Sequence, residues 1–351
     1  MLTPARRKRR VMPTPRAKRG SIPIARPRNC TVMPTLPLLR LLLSFIAGPR
    51  AYRFAGACDI ADLERHASHW GLRIRDLDVA HFEELCSNLE HVRRPYRRNF
   101  SLALNARSHV TPSACAHLGS LLTKSCPTTE GAPSDAATTV VVDWHARQAL
   151  TPVKDQGACG SCWAEAVVAV AETQLYLQDK TLIRPQSLAV QPLLDCDNAD
   201  RGCGGGDPLR AADFLRRNGD CADARYPYAS KVQGTCLLAD KSRLLAPGLL
   251  RAHVLPPSDA HALAHALRNG PLVVTLAAAS RDFQLYAGGV FDGDCSSEND
   301  HAVVLVGVAP SYWILRNSWG RSWGEGGYMR MEKATAERCG LLLTPLALAL
   351  G

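Results

Sequence analysis

The ten residues Gln156-Gly157-Ala158-Cys159-Gly160-Ser161-Cys162-Trp163-Ala164-Glu165 constrain this chain more than any other stretch. Two cysteines three apart follow a glycine-rich turn and open an apolar run, Ala164 to Leu177, that predicts a buried helix. A cysteine at the head of a helix feels the partial positive charge of the unsatisfied N–H groups, which lowers its pKa toward the thiolate. The glycines let backbone N–H groups approach a carbonyl closely, and the Gln156 amide can donate to the same oxygen. That combination suits a nucleophile. A zinc site would need a second Cys/His pair at knuckle spacing, and none follows in that form. A redox Cys-x-x-Cys pair would follow a strand of a βαβ unit, and no such pattern surrounds this one. At this point a redox or structural role remains the alternative.

The net charge of +10 over 351 residues looks like a nucleic-acid signal until it is located. Residues 1–32 carry +10, residues 33–137 carry +2, and residues 138–351 carry −2. The basicity is therefore an N-terminal arm, and the body has no charge support for binding a polyanion. Thirteen cysteines are many for a cytosolic enzyme of this size. Eight lie between Cys159 and Cys339; with one reserved as nucleophile, three disulfides and one leftover thiol fit an oxidising, secretory compartment.

Residues 1–32, rich in Arg, Lys and Pro, read as a basic disordered extension. Residues 33–57 read as a signal peptide with translation starting at Met33: the apolar core Leu36 to Ala47 is too short to span a bilayer comfortably, and small residues follow. The segment from Cys58 to about Asp135 has helical stretches at Ile60 to Trp70 and Leu77 to Val92 and a glycosylation triplet at Asn99-Phe100-Ser101. Thr128 to Thr139 reads as a linker. Beyond Val140, helices are expected at Cys162 to Gln178, at Pro208 to Asn218, and at Ser258 to Arg268 with Asp259 in the first turn. Strands are expected at Leu272 to Leu276, His301 to Val308, Tyr312 to Arg316 and Gly327 to Met331. Helices followed by strands imply an α+β body of two unlike halves with a cleft between them.

A thiolate protease needs an imidazole to hold the thiolate as an ion pair and to protonate the leaving amine, and a group to orient that imidazole. Of eleven histidines, His301 opens a strand-like run and lies 139 residues after Cys162, inside the roughly 130–150 expected for such a pair. Asn317 follows another strand. Its amide can hold the ring without competing for the proton, and Trp319, two residues on, would shield the bond from water.

With these stretches assembled, the segment from about Val141 to Leu346 resembles a papain-family (cathepsin L-like) cysteine protease. The matching pieces include Val142-Asp143-Trp144, Val153-Lys154-Asp155-Gln156-Gly157, the Cys162 stretch, Leu193-Leu194-Asp195-Cys196 and Gly202-Cys203-Gly204-Gly205-Gly206. They continue with Tyr226-Pro227-Tyr228, Asn269-Gly270-Pro271, the His301 stretch, Asn317-Ser318-Trp319-Gly320 and Trp323 to Tyr328. The resemblance implies a papain-like two-lobe fold, helical on the left and antiparallel and barrel-like on the right, with the active site between. It implies Cys162 as nucleophile, His301 as acid/base, Asn317 as orienter, and Gln156 with the Cys162 N–H as oxyanion hole. It implies the disulfides Cys159–Cys203, Cys196–Cys236 and Cys295–Cys339, with Cys221 left over.

The resemblance further implies that Gly205 and Gly206 run antiparallel to the substrate backbone. Asp207, Pro208, Ala302 and Thr344 would line the pocket for the second residue before the cut, and Trp319 belongs to the substrate-contacting set. Asp207 departs from the apolar residue usual there, and Glu165-Ala166 replaces the usual Phe-Ser. No histidine-bearing insertion follows Gly206, so the activity implied is that of an endopeptidase rather than a dipeptide remover. Residues 58–137 fall where the family keeps an inhibitory propeptide, but of its helical signature, expected at Leu77, His81, Leu85, Asn88, Val92 and Tyr96, only Asn88 is kept and Val92 is similar. The expected molecule is thus a zymogen with a peptidase domain at 138–351. It acts on polypeptides through a thioester, is restrained by its own propeptide, and works as a monomer without metal or cofactor. The mature domain binds no nucleic acid and has no stable membrane span. The secretory pathway would carry it to a lysosome or vacuole, or out of the cell. The alternative is a catalytically silent relative that binds peptides or partners.

Overall fold

In the computed structural model, residues 60–69, 73–74, 77–94, 98–109 and 141–351 except 297 are described. The expected extension, signal and linker lie outside the described residues. In chain order the elements are helices α1 (Ile60–His69) and α2 (Val79–Arg93), strands β1 (Phe100–Leu102) and β2 (Val142–Asp143), and helices α3 (Cys162–Gln178), α4 (Gln191–Cys196) and α5 (Pro208–Asn218). Strands β3 (Asp220–Cys221), β4 (Arg243–Leu245) and β5 (Leu250–Val254), helix α6 (Ala260–Ala266), strand β6 (Leu272–Leu276), helix α7 (Arg281–Gln284) and strand β7 (Tyr286–Phe291) follow. The chain ends with β8 (His301–Val308), β9 (Tyr312–Arg316), β10 (Tyr328–Glu332), α8 (Lys333–Arg338) and β11 (Leu346–Leu350).

The apolar run after Cys162 has no polar face, and every residue from Cys162 to Thr173 is buried. A helix apolar all round must be covered all round, and α3 accordingly runs through the core, packed on β8, α5, β6 and β11. Strand β8 is its counterpart: all eight residues are buried, as expected of a strand covered on both faces. It pairs antiparallel with β6, placing His301 opposite Leu276, and with β9. Gly307 takes the register shift between β8 and β9 while also pairing with β2; a Cβ there would meet the Val142 carbonyl at 2.7 Å and Ile314 at 2.8 Å. The close approach of a third strand requires glycine at that point.

The strand order is β1-β7-β10-β9-β8-β6-β11-β5, with β2 on β8, and a separate ribbon joins β3 to β4. Pairing is antiparallel except between β10 and β7. Strands β1 and β5 end the path without meeting, so the sheet is an open, curled layer rather than a closed barrel. The helix expected from Ser258 begins later. Ser258 has φ 57°, in the left-handed region that a helical residue does not adopt, and Asp259 is the N-cap, its carboxylate accepting from the Ala262 N–H at 2.8 Å.

The N-terminal helices dock on the sheet half. Leu63, Leu85, Leu89 and Leu104 form a small core closed by Leu285, just before β7, each burial contributing about 1.5–3 kcal/mol. Asp282 of α7 meets His91 Nε2 at 2.6 Å and Arg98 at 3.5 Å, and Arg281 meets Glu84 at 3.2 Å. Strand β1 adds to the edge of β7, Phe100 opposite Gly289. Gly289 has φ 96°, and a Cβ on it would lie 2.5 Å from the Asn99 carbonyl, so this edge admits β1 only because the residue is glycine.

Candidate active site

The helix-forming run starts at Cys162 because the preceding residues are held in a turn by long-range bonds. Gln156 N–H donates to the Ser318 carbonyl at 2.9 Å, Gly160 N–H to the Cys203 carbonyl at 3.0 Å, and Cys159 is disulfide-bonded to Cys203. Ser161 stands at the N-cap but does not cap; its hydroxyl bonds the Tyr228 hydroxyl at 2.6 Å, which donates to the Gln156 carbonyl at 2.9 Å. The thiol of Cys162 sits on the first residue of α3 and is nearly fully buried, where the helix dipole favours negative charge. Cys196–Cys236 and Cys295–Cys339 are also disulfides, and Cys162 and Cys221 remain thiols. Each bridge closes a loop of 40 to 44 residues, worth about 4 kcal/mol on the chain-entropy account. Burial raises the Cys221 thiol above its ordinary value, which keeps it inert.

Strands β8 and β9, adjacent and antiparallel, bring the first residue of one beside the residue that follows the other. His301 Nε2 lies 2.8 Å from Asn317 Oδ1. The amide oxygen also accepts from the Ser318 N–H at 2.8 Å, which fixes the amide and makes Nε2 the protonated ring nitrogen. Nδ1 is left as the nitrogen without a hydrogen-bond partner. Trp319 covers the ring at 4.7 Å between centroids and Phe283 meets it edge-on at 6.5 Å. The imidazole is completely buried. That burial pushes its pKa down to about 4; the Asn317 bond opposes the shift and the charge of Arg107 adds to it. As it stands here, the ring is neutral at physiological pH.

Gln156 is equally constrained: its Oε1 accepts from the Ser318 hydroxyl at 2.6 Å and its Nε2 donates to the Cys159 carbonyl at 2.8 Å, leaving one amide hydrogen over. Gly205 has φ 101°, and a Cβ on Gly206 would collide with the Trp163 ring at 2.5 Å. Asp207 stands at the head of α5. Its carboxylate caps α5 by accepting from the Leu209 N–H at 2.8 Å, because Pro208 at the first helical position leaves the next N–H needing an acceptor. Pro208 and Ala302 are buried, and the Thr344 and Thr275 hydroxyls share a hydrogen bond of 2.8 Å.

A buried polar cluster behind α3 escaped sequence reasoning. Glu172 accepts from Lys154 Nζ at 2.7 Å, from the Leu188 N–H at 2.9 Å and from the Thr151 hydroxyl. Arg316 donates to the Thr151 hydroxyl at 3.2 Å and to the Pro152 carbonyl at 2.8 Å. Glu165 faces this cluster across a cavity of about 10 Å³, lined also by Ala302, Asn317 and Ser318, and neither of its oxygens has a hydrogen-bond partner. Burial pushes the Glu165 carboxyl up to about 7, only partly opposed by Lys154, while Glu172 adds to the rise. Its position one turn into α3 was legible in the sequence; the company it keeps was not. Arg107 also went unread, since nothing in the Asn105–Ser108 turn signals which distant surface it touches.

The description "papain family cysteine protease" matches residues 138–347. The chain belongs to the papain family of cysteine proteases. It is 40% identical to papain of Carica papaya over 200 residues, 57% of this chain and 56% of papain's. It is 34% identical over 278 residues to a senescence-specific cysteine protease of Arabidopsis thaliana, covering 74% of this chain and 79% of that one. Recombinant stem bromelain precursor superposes with a TM-score of 0.69 at 28% identity, covering 83% of this chain and 98% of that one. The chain spans a little over half the length of the first curated relatives it matches.

Proposed function

We propose that this chain is a cysteine endopeptidase made as a zymogen, with residues 58–137 as propeptide and 138–351 as peptidase domain. The observation that carries the reading is the His301–Asn317 hydrogen bond under Trp319, which orients a buried imidazole with Nδ1 left for a thiol. The Cys162 thiol gives its proton to His301 Nδ1 and the thiolate attacks a peptide carbonyl. The oxyanion is met by the Cys162 N–H and the spare Gln156 amide hydrogen. The imidazolium then protonates the leaving amine, forming a thioester, and water deprotonated by the same ring hydrolyses it.

The docked N-terminal segment supports latency. Its strand β1 pairs with the β7 edge, its Arg107 reaches the Gly157 carbonyl and the Trp319 ring, and the charge of Arg107 opposes the imidazolium that the thiolate needs. Polypeptides are the substrates, met along Gly205 and Gly206 and in a pocket of Pro208, Ala302 and Thr344. The disulfides fit passage through the secretory pathway to a vacuole, a lysosome or the outside. Among the described residues no helix is long and apolar enough to cross a membrane. The test is labelling of the acid-activated protein by an epoxide peptide: one adduct on Cys162 and none on Cys162→Ala supports the reading. An intact domain that takes no label would instead be a silent peptide-binding relative.

A further inference from the structure

Arg107 is held in place by a turn built for it. Asn105 N–H donates to the Ser108 hydroxyl at 2.7 Å and Arg107 N–H to Asn105 Oδ1 at 2.9 Å. The turn is tied to α2 by Asn88 Nδ2 on the Ser108 carbonyl and to the peptidase half by Asn105 Nδ2 on the Gln284 carbonyl, both at 2.8 Å. Leu104 anchors its base in the small core. From this mount the guanidinium reaches the active site. Its Nη1 donates to the Gly157 carbonyl at 2.7 Å, and its Cζ stands 4.9 Å from the Trp319 ring centroid.

The surface it meets suits a planar cation. Gly157 has φ 59°, in the left-handed region, and its N–H is taken by Asp155 Oδ1 at 2.9 Å. The Asp155 carboxylate stands against the Trp319–Gly320 turn, where a Cβ on Gly320 would lie 2.7 Å from Oδ2. A carbonyl acceptor and an aromatic face therefore border one spot, and the Asp155 carboxylate holds the turns that carry them. It adjoins His301, the group that protonates the leaving amine, so the part of a substrate beyond the cut must run past it.

We infer that the Gly157 carbonyl and the Trp319 ring, on a turn that Asp155 holds, form a guanidinium subsite, occupied by the chain's own Arg107 in the zymogen and filled after activation by an arginine side chain on the leaving-group side of the substrate. The inference rests on the peptidase reading and names its substrate class: polypeptides with arginine just after the scissile bond.

The experiment uses the acid-activated enzyme and internally quenched peptides carrying Arg, Ala or Glu at each of the first two positions after the cut, with cleavage sites read by mass spectrometry. A coumarylamide substrate, with only the dye beyond the cut, reports activity independent of the subsite. The expected result is a kcat/KM for Arg about 5- to 10-fold above Ala at one position, carried mainly by KM, with Glu below Ala. Added salt should shrink the preference. Arg, Ala and Glu agreeing within about twofold while the coumarylamide is cleaved would overturn the subsite and leave Arg107 as a latch only. No cleavage of either substrate would overturn the peptidase reading and this inference together. In the zymogen, Arg107→Ala should shorten the activation half-time, and an unchanged half-time would count against a filled subsite.

Discussion

Replacing Glu165 with glutamine should remove a large pH dependence from the stability of this fold. The side chain projects from α3 into a cavity lined also by Lys154 and Arg316, feels the charges of Glu172 and Asp223, and has no hydrogen-bond partner for either oxygen. Its carboxyl is carried from the ordinary 4.5 up to about 7 by burial. Below about pH 4.5 the folded and unfolded chains are both protonated at this residue, and no penalty exists. Between about 4.5 and 7 the unfolded chain releases the proton while the folded chain keeps it, so stability falls as pH rises, by roughly 3 kcal/mol in all. Above about pH 7 the loss is complete and constant. Glutamine keeps the shape of the protonated acid and cannot ionise. In a Cys162→Ala background, which cannot digest itself, the Glu165→Gln variant should match its parent at about pH 4 and exceed it by roughly 3 kcal/mol at about pH 8. In thermal melts this is roughly 5–10 °C. Asp220 and Asp223, whose pKa values burial also raises, are common to both proteins and cancel in the difference. Parallel stability curves across the pH range would refute the argument.

Three other outcomes follow from the same geometry. Gln156→Ala should lower kcat by on the order of 10²-fold with little change in KM, since the amide donates to an oxyanion rather than to the ground-state carbonyl; an equal rise in KM would mean it binds substrate instead. Asn317→Ala should lower kcat/KM by about one to two orders of magnitude, the size of a lost hydrogen bond to a charging group, about 1.5–3 kcal/mol, and epoxide labelling should slow in proportion. Gly289→Val places a branched side chain where the Asn99 carbonyl approaches and where φ is 96°. Activation time courses should show the zymogen maturing faster, while the mature enzyme's kcat/KM stays unchanged: the clash is with Asn99 and Phe100, and the residue's bonds to Glu325 and from Tyr286 are made by its backbone.

Local chemistry sufficed for much of this protein. Helix α3 spans Cys162 to Gln178, the range expected around its apolar run. Helix α5 is bounded by Pro208 and Gly219, and β6, β8 and β9 occupy the apolar segments that announce them. These features are legible because hydrophobic period, proline and glycine act within a few residues of where they stand. The spacing of Cys162, His301 and Asn317 pointed to one site for the same reason: each sits at the boundary of an element that its own neighbours specify. The tertiary structure alone decided the rest. Strands β4, β5, β7 and β11 carry partly exposed patterns and, like the two-residue β3, become strands through the partner that pairs with them. Asp207 became a helix cap, Arg107 a cation over Trp319 and Glu165 a buried acid because of charges and acceptors contributed from far along the chain. A carboxyl or guanidinium responds to the field at its own position, and that field exists only once distant segments have packed around it.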